Sequence, residues 1–583
     1  MAGNSNIHPL KRFFQLLRLD RKDIYYIYLN SIFAGLIGLI LPLGVQAIIG
    51  FISGGDFSAA LWILIAVVTM GTALTGIIKI MQITITETLQ RRVFVRSSFD
   101  FSFRLPRLKV DSLTRFYPPE LVNRFFDTLN LQKGLPKILI DFSEAILNII
   151  FGVILMAFYH SFFAFFGVFL ALLLFLVYRF TGPRGLSTSL SESKYKYEVV
   201  YWLEEMARSL STFKMAGYSP YPLRRTDGLV TKYLDNRAEH FKILRFQYGV
   251  IVGFKVIITF ALLALGSYLV INNQMTIGQF VAAEIVVIIV ISNVEKLILT
   301  MEVIYDVLTA LDKLGFVTDL PVEKPDGLRF HQIDRHNQPL HLQVENLSFR
   351  FEDSDKQTLS GVTFEVKPGE RVCIAGTQSS GKSTLLQLIA GLYSEFEGSL
   401  AYNGFPLKSL DLCSLRGSIG DYINESNIFK GSILENINLG NPDTPLEDIV
   451  GLAEELGIAA YIRNLPHGYD TQLLPEGRNI PHTIRTKLIL LRSVVTKPKL
   501  LLAEDFFKSL ESKDRDFIAS FITRRDAPWT LLAVSTDPVV ATQCDRILLM
   551  ENGQIVAEGT WNSLQGHPLF ESTFRSKEIE LLG

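Results

Sequence analysis

Cysteine is scarce in this 583-residue chain: there are three, and they show no C-x-x-C spacing. The sequence therefore predicts neither a disulfide framework nor a zinc site, and reduced cytosolic thiols are the simplest interpretation. Net charge is also nearly absent, because 57 lysines and arginines offset 58 aspartates and glutamates. A nucleic-acid partner is not indicated. The N-terminus lacks a short apolar core followed by a small-residue cleavage site, so we expect no cleaved signal peptide.

Apolar sequence is what the chain has in abundance. Hydrophobic residues make up 48% of it, and the mean hydropathy is +0.27, which is unusual for a soluble protein. Six segments are long enough to cross a bilayer core, which needs about 20 helical residues. These predicted spans cover residues 24–52, 58–81, 138–159, 162–178, 248–271 and 280–300. We therefore predict an integral membrane protein with the lipid bilayer as a partner.

Basic residues alternate between the connecting loops. Lysine and arginine are frequent before the first span and after the second and fourth, at 11–22, 91–109 and 179–196. The short connections after the first, third and fifth spans contain neither. Because positively charged loops remain in the cytosol, both termini are predicted to be cytosolic.

The long inner segments keep helical periodicity. At 93–103 and 197–210 the apolar residues recur at helical spacing, so we expect helices to continue beyond the membrane as stalks. Segments 114–120 and 212–218 are either short surface helices that touch a cytosolic domain or simple loop turns. The spans also contain Lys79, Lys255 and Glu284, for which a structural role and substrate contact both remain open.

A glycine-rich motif in the second half predicts a nucleotide site. It fits G-x-x-x-x-G-K-[ST], whose backbone N–H groups surround phosphates. A predicted buried strand precedes it and a predicted helix follows, which is the context the motif needs. Lys382 can meet the β- and γ-phosphates and Ser383 can ligate Mg²⁺. The predicted nucleotide-binding residues of the motif are Gly376, Thr377, Gln378, Ser379, Ser380, Gly381, Lys382, Ser383 and Thr384.

Further strands surround this motif. Residues 340–351 and 363–366 alternate like strands of an antiparallel sheet, whereas 499–503, 531–535 and 546–550 read as short buried strands between helices. This alternation predicts a doubly wound α/β core. Glu504 and Asp505 follow one such strand, where carboxylates suit Mg²⁺ binding and water positioning.

The predicted fold is therefore multidomain: an all-α six-helix transmembrane domain plus an α/β P-loop NTPase nucleotide-binding domain. We expect a cytosolic N-terminal segment, then the transmembrane domain with its helical extensions, a linker, and the nucleotide-binding domain. Their predicted bounds are 1–23, 24–320, 321–339 and 340–583.

Six spans, stalks and this domain together resemble a half-transporter of the ABC exporter type. The glycine motif, Asn436 within 431–437, residues 468–471 and the tail 545–559 carry the resemblance. It implies ATP and Mg²⁺ as cofactors, and a head-to-tail dimer with a second half-transporter. A diffuse similarity to the hemolysin-type secretion exporters implies a bacterial inner membrane and, if the cargo is a secreted protein, a periplasmic adaptor.

Several positions depart from the family pattern. Phe351 stands at the adenine-stacking aromatic, and Ser379 replaces a second glycine. Asn424 stands where a glutamine links Mg²⁺ to the membrane domain, and Glu504 where an aspartate is linked to Mg²⁺. The resemblance thus implies Ser383, Asn424 and Glu504 as metal-linked residues.

The departures extend to hydrolysis. Asp505 stands at the catalytic glutamate and Thr536 at the switch histidine. The signature Leu-Ser-Gly-Gly-Gln reads Ile-Pro-His-Thr-Ile at 480–484, and Pro481 offers neither a hydroxyl nor an N–H. If the register is shifted by one, Asp505 becomes the metal carboxylate and Phe506 takes the catalytic position.

ATP binding is therefore expected and hydrolysis is expected to be impaired. Three interpretations remain open. The chain is a degenerate half-transporter with a competent partner, a membrane-anchored ATP sensor or scaffold without transport, or a homodimeric exporter whose variant sites are active.

Overall fold

The computed structural model describes residues 8–55, 58–113, 118–333, 338–422, 428–504 and 510–574. The chain divides into two compact units. The first consists of Met1–Pro106 and Phe116–Leu320, and the second of Arg107–Arg115 and Pro321–Gly583.

The regular elements described in the first unit are helices. A π-helical turn, Lys137–Phe142, connects the sixth helix to the seventh. The helices are α1 Pro9–Leu19, α2 Arg21–Gly38, α3 Ile40–Ser53, α4 Ala59–Arg104, α5 Pro118–Asn123, α6 Asp127–Pro136, α7 Ser143–Tyr159, α8 Ser161–Arg208, α9 Leu210–Met215, α10 Tyr221–Ile271 and α11 Ile277–Thr318.

Among the described residues, six helical stretches are long and apolar enough to span a membrane, which confirms the six predicted spans. The first is interrupted between α2 and α3 at Leu39. Pro42 in the first turn of α3 explains this break, because its ring nitrogen cannot donate to the carbonyl four residues earlier, at Gly38. Buried apolar residues of α7, α8, α10 and α11, among them Met156, Phe166 and Phe254, form a shared core.

Several helices extend beyond the predicted spans. Helix α4 has 46 residues and is therefore about 69 Å long, more than twice the thickness of a hydrocarbon core. The predicted continuation at 93–103 is helical throughout, whereas that at 197–210 is broken at Ser209 between α8 and α9. Helix α9, Leu210–Met215, overlaps the first part of the predicted segment 212–218. Of the segment 114–120, residues 114–117 lie outside the described part, and α5 begins at Pro118.

The second unit is an α/β domain. Its helices are α12 Phe330–Ile333, α13 Lys382–Ile389, α14 Leu412–Arg416, α15 Ile433–Asn438, α16 Leu446–Glu455, α17 Ala459–Arg463, α18 His482–Val495, α19 Ser512–Ile522, α20 Pro538–Gln543 and α21 Trp561–Leu564. Its strands are β1 Leu342–Phe349, β2 Leu359–Val366, β3 Arg371–Gly376, β4 Glu397–Tyr402, β5 Phe405–Pro406, β6 Ile419–Tyr422, β7 Gly431–Ser432, β8 Gln472–Leu473, β9 Leu500–Glu504, β10 Thr530–Val534, β11 Arg546–Glu551 and β12 Gln554–Gly559.

The strands form two principal sheets. One has the order β2-β1-β4-β5 and is antiparallel. The other has the order β12-β11-β3-β10-β9-β6, in which only the β12–β11 pair of described strands is antiparallel. Both the predicted antiparallel sheet and the predicted doubly wound core are therefore confirmed.

A segment from the first half of the chain packs into the second unit. The carboxylate of Asp111 accepts hydrogen bonds from the backbone nitrogen and the hydroxyl of Ser394, at 3.3 and 3.1 Å. The backbone nitrogen of Glu323 donates to the carbonyl of Arg107 at 2.7 Å. Phe330, in the predicted linker, is completely buried in the core of this unit. The chain after Pro321 is thus part of the domain fold.

Candidate functional site

The carboxyl ends of three neighbouring parallel strands define the candidate site. Val534 of β10 lies opposite Glu504 of β9 and opposite Ile374 of β3. The glycine motif that follows β3 is therefore at the same edge of the sheet as Glu504 and Ser535. Ligands of open α/β sheets bind at this edge.

The glycine motif leaves β3 in a backbone conformation that restricts side chains. Gly376 has φ 148° and Gly381 has φ 93°. A Cβ atom built on Gly376 would lie 2.0 Å from the carbonyl oxygen of Met550. Ser379 is also left-handed, with φ 60°, where a non-glycine residue is strained. This strain gives a physical reason for the glycine that the family pattern has at the Ser379 position.

We expect Gly376→Ala to disrupt this unit, because the new methyl group meets backbone that cannot move aside. The φ strain and the clash together should cost about 3 kcal/mol or more, a melting-temperature loss of roughly 6–12 °C for a domain of this size. Differential scanning fluorimetry of the purified chain measures it. Gly404→Ala is the matched control, since Gly404 is left-handed with φ 81° but has open space around a Cβ, and roughly 2–4 °C is expected. Equal shifts for the two variants would contradict the steric argument.

The first residues of α13 carry the polar groups of the motif. The Nζ of Lys382 donates to the carbonyl oxygens of Thr377 and Gly376, at 2.6 and 3.2 Å, and to the hydroxyl of Ser380 at 3.1 Å. The hydroxyl of Ser383 donates to a carboxylate oxygen of Glu504. Phosphate suits the N-terminus of such a helix, where backbone N–H groups point outward.

The remaining motif residues differ in accessibility. Thr377, Gln378 and Ser379 are exposed, whereas Ser380 and Thr384 are buried. The carbonyl of Ser380 accepts a hydrogen bond from the backbone nitrogen of Gly553 at 3.2 Å. The loop is therefore anchored at its C-terminal side and accessible along the three residues after Gly376.

The acidic edge of the site is only partly within the described chain. Glu504 is half-buried at the end of β9. Thr536 follows the buried Ser535, whose hydroxyl accepts a hydrogen bond from the backbone nitrogen of Asp537 at 3.0 Å. Asn424 and Asp505 lie outside the described residues, so their roles stay predictions. In the part that the structure describes, no group of three or more His, Cys, Asp or Glu residues could hold a metal by itself.

An aromatic cluster surrounds Phe351. Its ring meets Phe349 edge-on with centroids 5.0 Å apart, and Tyr393 with centroids 5.6 Å apart. These contacts fix the ring orientation while Phe351 itself remains half-buried. Tyr393 was missed in the sequence, because nothing in the pattern connects it to a residue 42 positions earlier.

The predicted signature, residues 480–484, lies at the start of α18. Pro481 occupies the N-cap with φ −58° and ψ 147°, and no side chain caps this helix in the described structure. A serine here would accept a hydrogen bond from a backbone N–H of the first turn. Lys487, farther along α18, pairs with Asp514 at 2.8 Å and is 5.0 Å from the ring centre of Phe517. The body of α18 is therefore packed firmly although its first turn is atypical.

An ion pair between Arg371 and the exposed Asp545 holds the start of β3 in place. Asp545 accepts hydrogen bonds from the backbone nitrogen and Nε of Arg371, at 3.0 and 2.8 Å. The side-chain hydrogen bond from Arg371 lowers the pKa of Asp545 despite its partial burial. The stability that this carboxylate contributes is therefore present at neutral pH and is lost as the pH falls through its depressed folded-state pKa.

Two of the three ionisable residues singled out in the predicted spans have defined partners. Lys79 pairs with Glu144 at 2.8 Å, and Lys255 lies 3.9 Å from Glu295. Glu284 is half-buried. Asp141, Glu144 and Lys296 were missed, although a search for every charge between 138 and 159 and between 280 and 300 would have found them.

Models of known protein families match both units of the chain. The family model described as ABC transporter transmembrane region matches residues 24–294, and the one described as ABC transporter matches residues 359–507.

Curated relatives match part of their length. A putative multidrug export ATP-binding/permease protein, YgaD of Bacillus subtilis, is 25% identical over 58% of this chain and 57% of its own. The alpha-hemolysin translocation ATP-binding protein HlyB of Escherichia coli O157:H7 is 26% identical over 62% of this chain and 51% of its own. The chain thus spans about half the length of these relatives.

A solved structure shares the fold. The structure of a bacterial Atm1-family ABC exporter with ATP bound superposes with a TM-score of 0.83 at 17% identity, covering 96% of this chain and 98% of that one. At this identity the likeness concerns the fold. The two family models match in the order membrane region, then ATP-binding domain, along one polypeptide, and the fold agrees with that of the exporter structure. The chain therefore belongs to the ABC transporter family, with the architecture of an exporter half-transporter.

Proposed function

We propose that this chain is an ATP-binding half-transporter that moves a substrate across the membrane as a dimer, and that its own hydrolytic machinery is weakened. The observation that carries this proposal is the combination of a phosphate loop that keeps Lys382 and Ser383 with a proline at the N-cap of α18. The phosphate loop favours ATP binding, whereas the proline removes groups that would act on the γ-phosphate of bound ATP.

Binding is supported by the residues that converge at the start of α13. Lys382 carries the positive charge for the β- and γ-phosphates, while the exposed loop from Thr377 to Ser379 offers backbone N–H groups. Ser383 and Glu504 bring hydroxyl and carboxylate oxygens together, and such oxygens suit Mg²⁺. ATP with Mg²⁺ would supply the transferable γ-phosphoryl group. The half-buried Phe351 ring is the proposed surface for adenine.

Weak hydrolysis is supported by three substituted positions. Pro481 lacks the hydroxyl and N–H that the family signature presents to the ATP of the partner subunit. Asp505 is one methylene shorter than glutamate, and a displacement of about 1 Å can cost on the order of 10²-fold in rate. Thr536 can hydrogen-bond but is shorter than the switch histidine. Turnover would then depend on a competent second half-transporter.

The assembly we propose lies in a bacterial inner membrane with its nucleotide-binding domain and termini in the cytosol. HlyB is named for alpha-hemolysin translocation and YgaD for multidrug export, so a secreted protein and a small hydrophobic molecule are both candidate cargoes. A periplasmic adaptor belongs only to a secreted-protein cargo.

The contact between Ser383 and Glu504 also favours a second candidate, a homodimeric exporter with variant but active sites.

One experiment separates the two candidates. The full-length chain is purified alone, reconstituted in lipid, and assayed for bound nucleotide and for ATP hydrolysis in parallel. We expect ATP to be bound and turnover to be about 10²-fold or more below the median enzyme rate of about 10 s⁻¹. Turnover of several ATP per second by the chain alone would instead establish the active homodimer.

A further inference from the structure

The membrane domain contains a compact group of two acids and two bases, here called the charge cluster: Lys79 on α4, Asp141 on the π-helical turn, Glu144 on α7 and Lys296 on α11. Both carboxylate oxygens of Glu144 accept hydrogen bonds from Lys79 at 2.8 Å. Lys296 lies 2.9 Å from Asp141 and 3.6 Å from Glu144. Lys79 also lies 3.8 Å from Asp141, so each base faces both acids, and the formal charges cancel.

The four residues of the charge cluster lie at a similar depth, near the same end of their predicted spans. Lys79 and Lys296 lie within about one helical turn of the end from which α4 and α11 continue beyond the predicted spans. Asp141 and Glu144 lie in the first two turns of the third span, which enters from that same end. Ionisable groups within a span are costly and mark functional sites by default.

A cavity of about 440 Å³ begins at this cluster. Lys79 and Glu144 line it together with Thr75 and Asn148, and glycines of three helices border it. From Lys79 to Thr72, and from Glu144 to Gly152, the lining runs about 10–12 Å along the helices. The far part is bordered by Gly152 and Val286. The cavity is therefore charged at one end and mainly small and apolar at the other.

We propose that this cavity binds a zwitterionic amphiphile. Its ammonium group takes the place of a lysine beside Glu144, and its anionic group takes the place of a carboxylate beside Lys79. A bound zwitterion replaces the ion pair between Lys79 and Glu144 by two ion pairs, one between each of these residues and the ligand. Every buried charge therefore keeps a partner, whereas a buried charge without one would be strongly unfavourable. The apolar chain of the ligand lies along the glycine-bordered part.

The accessibility of the paired groups supports a ligand. The side chains of Lys79 and Glu144, which both line the cavity, are 38% and 15% exposed, so they are reachable from it. A headgroup can therefore insert without breaking the helix packing.

The source of the amphiphile is either the surrounding bilayer or the transported cargo, and both present the same chemistry. Binding itself does not depend on nucleotide, whereas use of the site in transport rests on the proposed function. Lys382→Ala should accordingly leave amphiphile binding unchanged, which separates failure of this proposal from failure of the ATP-site assignment.

The test measures binding of a photoactivatable lysophosphatidylethanolamine to the full chain in dodecyl maltoside. We expect the labelled peptides of the natural chain to contain residues 72–79 or 144–152, with labelling competed by unlabelled lysophosphatidylethanolamine and not by excess maltoside. Labelling that is spread over the apolar surface, or competed equally by maltoside, would overturn the proposal without any variant.

Charge variants add a readout that a merely structural ion pair does not predict. Lys79→Met should shift the preference of the site toward an alkylammonium, and Glu144→Gln toward an alkyl phosphate, each by about ten-fold or more relative to lysophosphatidylethanolamine. Lys255→Met is the matched control, because its pair with Glu295 is outside this cavity lining, and its preference should equal that of the natural chain. Parallel losses for all probes in both cavity variants would mean a structural role only.

A steric variant tests the cavity itself. Gly76 borders it and has no neighbouring heavy atom within 4 Å of a built Cβ, so the side chain of Gly76→Leu can leave the backbone freely, and it should occupy the cavity and reduce labelling at least about ten-fold. Gly253 on α10 is equally open, and Gly253→Leu should leave labelling unchanged.

In lipid vesicles with ATP and a competent partner, movement of the probe across the membrane would identify cargo, whereas binding without movement would identify a resident lipid.

Discussion

Lys382→Ala is expected to weaken ATP binding roughly 10- to 100-fold, the range for a charge-assisted hydrogen bond at a phosphate. In the structure the ammonium group lies over the loop carbonyls of Gly376 and Thr377, so it is held where phosphates of a nucleotide would lie. Equilibrium binding of a fluorescent ATP analogue to the full chain in detergent measures the loss.

Lys497→Ala is the control for this result. Lys497 lies in the same domain, is 68% exposed on its side chain and pairs with Asp448. Its removal should change ATP affinity by no more than about two-fold. An unchanged affinity in Lys382→Ala, together with a normal melting temperature, would contradict the assignment of residues 376–384 as the phosphate loop.

Repair of the signature is expected to have the second large effect. Pro481→Ser combined with His482→Gly and Thr483→Gly restores a hydroxyl and close backbone N–H groups at the start of α18. Groups of this kind change rates by about 10²-fold each in other enzymes, so we expect hydrolysis to rise by about that factor. Asp505→Glu alone should give a smaller gain, because the signature would still be defective.

A matched proline variant controls for helix capping. Pro445 is the N-cap of α16 with φ −63° and ψ 137°, nearly the conformation of Pro481. Pro445→Ser should stabilise its helix by about 1 kcal/mol and leave ATP hydrolysis, measured as phosphate release in lipid, unchanged. A large gain from Asp505→Glu without signature repair would show that the carboxylate, rather than the signature, limits turnover.

The membrane half shows where sequence patterns are sufficient. An apolar run of about 20 residues has few alternatives to a span, since every backbone polar group must be satisfied within it. The six spans were therefore predictable. The position of the break at Leu39 was not predicted. It depends on the carbonyl of Gly38, which has no helical donor because Pro42 lacks an N–H.

The nucleotide-binding half shows the same contrast. The strands around the glycine motif were predictable because short buried runs between helices favour a parallel sheet. Their order, β12-β11-β3-β10-β9-β6, was not, and it is this order that brings Ser383 to Glu504. The packing of Asp111 against Ser394 was not predicted, because turn segments lack a periodicity that would locate such a contact.

The sequence by itself thus determined the spans and the phosphate motif, since each depends on neighbours along the chain. Only the tertiary structure decided which distant residues meet. Lys79, Asp141, Glu144 and Lys296 lie on four separate elements, and their charges become one neutral cluster beside a cavity only after those elements pack. Local propensity acts over a few residues, whereas an ion pair depends on a distance in space that only the assembled bundle defines.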